Sequence, residues 1–112
     1  MVMRVIWSSK AKERLAEILE QGSVNFGRSV SLELYRRVKY FSSLLKTNPM
    51  MGKLDSLLES VPLSIRTIVV HDYFEIVYYV DEVENCIYIL TLWDTRRDPD
   101  EYVNDLFHEK ID

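Results

Sequence analysis

The sequence is poor in the residues that staple, break or plate a chain with metal. Its 112 residues hold one cysteine, three glycines, three prolines and two histidines. A lone thiol excludes an internal disulfide. Cys86 sits inside the apolar run Cys86-Ile87-Tyr88-Ile89-Leu90, where it reads as a small buried hydrophobe, with no neighbouring base to make it a nucleophile. His71 and His108 have no ligand spacing to each other or to Cys86, so no metal and no cofactor are expected. No stretch approaches the roughly 18 consecutive apolar residues of a spanning helix, and a membrane is not an expected partner. The opening Met1-Val2-Met3-Arg4 offers neither an apolar leader nor a small-residue cleavage site, and a reducing cytoplasm is the expected location.

Positive charge is in deficit too. Eighteen acidic against fourteen basic residues give a formal net charge of −4. The whole-molecule field therefore repels polyanions such as mRNA, although a local basic patch can overcome so mild an excess.

What is present suffices for one core. A 47% hydrophobic content over this length predicts a single domain, 1–112. Residues 2–7 alternate two faces and predict a strand. Ser8 or Ser9 caps a helix through Ala11, Leu15, Ile18 and Leu19, which Gly22 is expected to stop. A polar link, 23–27, leads to a second helix with Val30, Leu34, Val38, Phe41 and Leu45 as its inner stripe. Arg36, Arg37 and Lys39 then form a solvated face. Thr47-Asn48-Pro49 ends it, because proline disfavours helical backbone in the residue before it. Residues 50–62, with Gly52 and Pro62, read as a loop holding at most one short turn of structure. Strands are expected at 65–71, 74–80 and 86–93, joined by hairpin-sized links into an antiparallel meander. Asp98-Pro99-Asp100-Glu101 starts a short last helix through Tyr102 and Leu106. The expected class is α+β, β-α-α-β-β-β plus a short helix, with a helical hairpin on one face of the sheet.

Several local motifs, in this order, resemble the RelE/ParE superfamily of type II toxin-antitoxin toxins, on its ParE side. They are Arg4-Val5-Ile6-Trp7-Ser8 with Ala11 and Leu15; Asn48-Pro49-Met50-Met51-Gly52-Lys53; Ile65-Arg66; Phe74-Glu75-Ile76-Val77-Tyr78; and Tyr88 through Leu92-Trp93-Asp94-Thr95-Arg96-Arg97-Asp98-Pro99. The resemblance covers nearly the whole chain. It implies the fold above, a cognate antitoxin whose tail orders on the toxin, and assembly as a homodimer or as a heterotetramer with that antitoxin. Within the superfamily, ParE-like toxins inhibit DNA gyrase and RelE-like ones cut mRNA on the ribosome.

For a nuclease, the resemblance implies Arg96 as phosphate stabiliser, Tyr102 as the carboxy-terminal tyrosine and Lys53 as a loop cation. Two departures stand against that chemistry. Glu75 occupies a position where nucleases of this kind carry arginine, and Asp94 one where many carry histidine. Gyrase inhibition without hydrolysis is therefore the leading expectation, with mRNA cleavage and a non-toxic interaction domain as alternatives. For binding a partner, the candidates are Arg66, Arg96, Arg97, Trp93 and Tyr78. The plainer readings are that the arginines pair with Asp94, Asp98 or Glu101 as surface ions, and that Tyr73, Tyr78, Tyr79, Tyr88 and Trp93 pack the sheet.

Overall fold

The computed structural model describes residues 2–59 and 62–107; His108 lies outside them. Strand β1 (Arg4–Trp7) ends at Ser8, whose Oγ accepts from Ala11 N at 3.0 Å and donates to the Leu90 carbonyl at 2.8 Å. One side chain thus starts helix α1 (Ser9–Phe26) and ties it to the sheet.

Gly22 does not stop α1. The helix runs on through the expected polar link to Phe26, and Gly27 at φ +96° turns the chain into α2 (Arg28–Leu45). A mid-helix glycine costs only about 1 kcal/mol relative to alanine, and at Gly22 it admits a close crossing. A Cβ there would lie 3.0 Å from Ser31 Oγ, which donates to the Leu19 carbonyl across the hairpin.

Leu34, Val38 and Leu45 bury the inner face of α2, whereas Val30 at the hairpin's closed end, near Gly27, stays 41% exposed. Arg36, Arg37 and Lys39 are exposed, as expected, and Arg37 Nε also donates to the Val70 carbonyl of the sheet at 2.5 Å. The loop that follows contains a two-residue strand, β2 (Lys53–Leu54), and a 3-10 turn, Ser56–Leu58.

Strands β3 (Ile65–His71), β4 (Phe74–Asp81) and β5 (Cys86–Asp94) make the meander. Asp72 and Asn85, at φ +46° and +55°, turn the chain between them, as these residue types tolerate. The sheet order is β1-β5-β4-β3-β2, with β1 parallel to β5 and the other pairs antiparallel.

The register of β4 on β5 shifts between Val77 and Tyr78, leaving Leu90 as an extra residue on β5. A bulge reverses the alternation of side chains beyond it. Ile87 and Ile89 face the helical hairpin before the bulge; Leu92 does so after it, and Trp93 points to the other face. This is why residues 86–93 are apolar almost throughout.

The main core lies between the hairpin and the sheet, from Met3 and Ala11 to Ile76, Tyr78, Ile89 and Leu92. A second cluster, Leu58, Ile65, Val77, Trp93 and Tyr102, is closed on the far face by α3 (Pro99–Phe107). Cys86 is buried, as its sequence context predicts. No helix among the described residues is long and apolar enough to cross a membrane.

Candidate functional site

Two grooves divide the sequence-predicted residues. On the far face, β2, β5 and α3 bring Lys53, Trp93, Arg97 and Tyr102 around a groove of about 310 Å³, with Asp55, Thr67 and Glu75 also in its wall. The Tyr102 hydroxyl donates to Asp55 Oδ2 at 2.5 Å. Its ring packs on Trp93 with centroids 4.9 Å apart, and the Arg97 guanidinium lies 4.7 Å from the Trp93 ring while pairing with Glu101 at 2.9 Å.

The electrostatics of this groove favour neutral, protonated groups. Burial and then the Asp55 carboxylate push the Tyr102 phenol well above its ordinary range, so it keeps its proton. Burial, reinforced by Asp55 and opposed by Lys53, raises the Glu75 carboxyl.

A carboxyl raised on folding binds its proton more tightly in the native state than in the unfolded chain. Its ionisation therefore costs stability as pH rises from the ordinary value near 4.5 through the folded one. Glu75→Gln is expected to raise the Tm at pH 7 and to have a smaller effect at pH 4. Thermal melts at both values check this, and an equal shift at the two would refute it.

Arg96 does not join this group. It lines the second groove, about 350 Å³, between the closed end of the helical hairpin and the β3–β4 turn. There its guanidinium forms two bonds to Asp94, at 3.1 and 2.9 Å, and lies 3.4 Å from the centroid of the Tyr73 ring. The hydrogen bonds from Arg96 hold the Asp94 carboxyl below its usual range, which makes it a poor base.

Arg66 is elsewhere again. Its Nη1 donates to the carbonyl of Gly52 at 2.8 Å, and it pairs in register with Tyr78, whereas Asp94 pairs with Phe74. Those two positions on β4 lie about 13 Å apart at the usual rise of a strand. The structure therefore does not bring Arg66 and Arg96 together.

Two partner-binding candidates are buried. Tyr78 is fully buried, and its hydroxyl is spent on Pro49 O and Gly52 N, each at 2.9 Å. Trp93 is 4% exposed beneath Tyr102 and Arg97. Sheet packing is the role of both. Sequence reasoning missed Asp55 as the partner of Tyr102, 47 residues away. The available signal was local: Asp55 Oδ1 caps the 3-10 turn by accepting from Leu57 N at 2.9 Å.

The sequence model of one family, described as "ParE toxin of type II toxin-antitoxin system, parDE", matches residues 5–99. The chain belongs to this family. The match ends at Pro99, so Tyr102 lies beyond the matched span.

Among solved structures, the ParE-family chain is similar to one from a chromosomal ParDE TA system of P. aeruginosa. The two are 22% identical with a TM-score of 0.65, over 81% of this chain and 94% of that one. A chain of the toxin-antitoxin complex RelBE2 from Mycobacterium tuberculosis is 16% identical with a TM-score of 0.58, over 82% and 96%. One from the archaeal RelE-RelB complex of Pyrococcus horikoshii OT3 is 16% identical with a TM-score of 0.51, over 88% and 100%. At such identities the likeness bears on the fold alone. No curated protein sequence matches the chain.

Proposed function

We propose that this ParE-family toxin is held by a cognate antitoxin and acts by binding DNA gyrase, not by cutting RNA. One observation carries the choice: the groove that collects Lys53 and Tyr102 is walled by Glu75 and Asp55, and Arg96 lies in a different groove, paired with Asp94. Cleavage at a phosphate needs donors and cations aimed at the charge that develops there. Here Tyr102 already donates to Asp55 and Arg97 is paired with Glu101, so Lys53 stands against two carboxylates. A binding surface has no such requirement.

The sharing of one groove by Lys53, Arg97 and Tyr102 favours RNA cleavage as the second reading. Expression without an antitoxin separates the two. Gyrase inhibition should produce an SOS response and cleaved DNA, while a ribosome-dependent nuclease would leave codon-positioned cuts in mRNA. Unimpaired growth with neither signature would remove both.

A further inference from the structure

The charge of this acidic chain is unevenly spread. Residues 28–46 hold five of its fourteen cations, Arg28, Arg36, Arg37, Lys39 and Lys46, and one of its eighteen acids, Glu33. Four of the five share a stripe. The steps from Arg28 to Arg36, Lys39 and Lys46 return to one face of a helix with about 3.6 residues per turn, and at a rise of about 1.5 Å per residue that face is about 27 Å long. Leu34, Val38 and Leu45 turn the other face to the core, so the four cations stand in solvent.

Nothing in the fold neutralises them. Among the described residues none of the four is in an ion pair, unlike Arg96 with Asp94 and Arg97 with Glu101. Arg36 and Lys39 lie one turn apart, where like charges repel. Ser29 and Ser43 are exposed along the same face and add hydroxyl donors. Lys39 and Lys46 also line a groove of about 380 Å³ with Tyr35, Ser42 and Ser43 in its wall, and no carboxylate lines it.

A row of unpaired cations and hydroxyls fits a polyanion, since these are the groups that bind phosphate oxygens. The rings nearby decide which polyanion. Single strands are held largely by bases stacking on aromatic faces. Tyr35 has the Lys39 ammonium over its ring at 5.5 Å, and Tyr40 packs edge-on against Phe41 at 5.3 Å. A duplex, whose bases are already stacked, needs no such platform.

We infer that the outer face of α2 binds the sugar-phosphate backbone of duplex DNA, with Arg28, Arg36, Lys39 and Lys46 each on a phosphate and without reading base sequence. The inference rests on the gyrase reading for its setting: an enzyme that works on duplex DNA brings that backbone to a protein bound beside it. The α2 contact then adds a hold on the DNA to the hold on the enzyme.

The test is titration of the full chain into a fluorescein-labelled duplex of about 24 base pairs, read by anisotropy at about 50 and about 200 mM salt. Four phosphate contacts should weaken binding about a hundredfold between the two salts. R36Q/K39Q should bind at least about tenfold more weakly at the lower salt and lose about half of the logarithmic salt slope. R36K/K39R, which keeps both charges, should bind like the parent, and amide shifts caused by the duplex in the NMR spectrum should fall on α2. The inference is overturned by absent binding, by equal binding of R36Q/K39Q, by loss of binding in R36K/K39R, or by shifts centred on the far-face groove of Lys53 and Arg97. Equal or tighter binding of a single-stranded RNA of the same length overturns it, as does a polyglutamate chain that binds as tightly as the duplex and so marks the face as one for an acidic protein. The gyrase reading is decided apart from this titration: it fails on an absent SOS response in cells, whatever the duplex does.

Discussion

Tyr78→Phe should lower the stability of the chain by about 1–3 kcal/mol although it removes a single oxygen atom. The hydroxyl both accepts from Gly52 N and donates to Pro49 O, at a residue with no exposed surface. Without it, a buried N–H is left unpaired, and such a group retains its full desolvation penalty. The same contact explains Gly52. A Cβ at that position would lie 2.6 Å from the Tyr78 hydroxyl and 2.8 Å from the Thr67 carbonyl, and the latter is backbone that cannot swing aside.

Gly52→Ala is therefore expected to cost about 1–3 kcal/mol as well. The double variant should lose less than the sum, because one of the three collisions disappears with the hydroxyl, while those with the Thr67 carbonyl and Tyr78 Cε1 remain. Urea unfolding of the two single variants and the double gives all three values. A Gly52→Ala protein as stable as the parent would show that the loop does not sit on Tyr78 as described.

Trp93→Ala should have the larger effect, about 3–5 kcal/mol for loss of a buried indole. Trp93 is the floor on which Tyr102 packs, and Tyr102 is the buried residue by which α3 meets the sheet. The expected result goes beyond a lower midpoint. Amides of α3 should lose their protection from hydrogen exchange well before those of β4 and β5, which remain paired along their length. Trp93→Phe, which keeps an aromatic surface under Tyr102, should retain most of the protection. Uniform loss across sheet and helix in Trp93→Ala would mean that α3 is not a separable unit.

The meander, both strand-turn positions and the end of α2 were legible because each has a local cause. β-branched alternation marks the strands, and Pro49 forbids continuation of a helix. The end of α1 was misread because Gly22 serves a helix crossing instead of a stop, and only the contact with Ser31 reveals it. Strand β2 was invisible, since two residues carry no period, and its pairing with Thr67 and Arg66 is fixed by the neighbouring strand.

The candidate site was legible in residue type but not in grouping. Arg96 and Arg97 are adjacent in sequence, yet only Arg97 reaches both grooves, since Asp94 holds Arg96 in one while Glu101 and Trp93 draw Arg97 towards the other. Tyr78 had the aromatic character of a contact residue, and nothing in its neighbours told that its hydroxyl closes a loop 26 residues upstream.

The pairing of Arg4 with Cys86 and of Trp7 with Ile89 has a temporal consequence. A ribosome makes β1 before β5, and Cys86 emerges 82 residues after its partner Arg4. Until then Val5 and Trp7 have no ladder to join, and the hairpin has only the β2–β3–β4 part of its sheet to cover. A nascent chain interrupted before Cys86 is thus a fragment lacking the strand that joins β1 to the meander, and premature termination should yield material fit for proteolysis, not a partly active toxin.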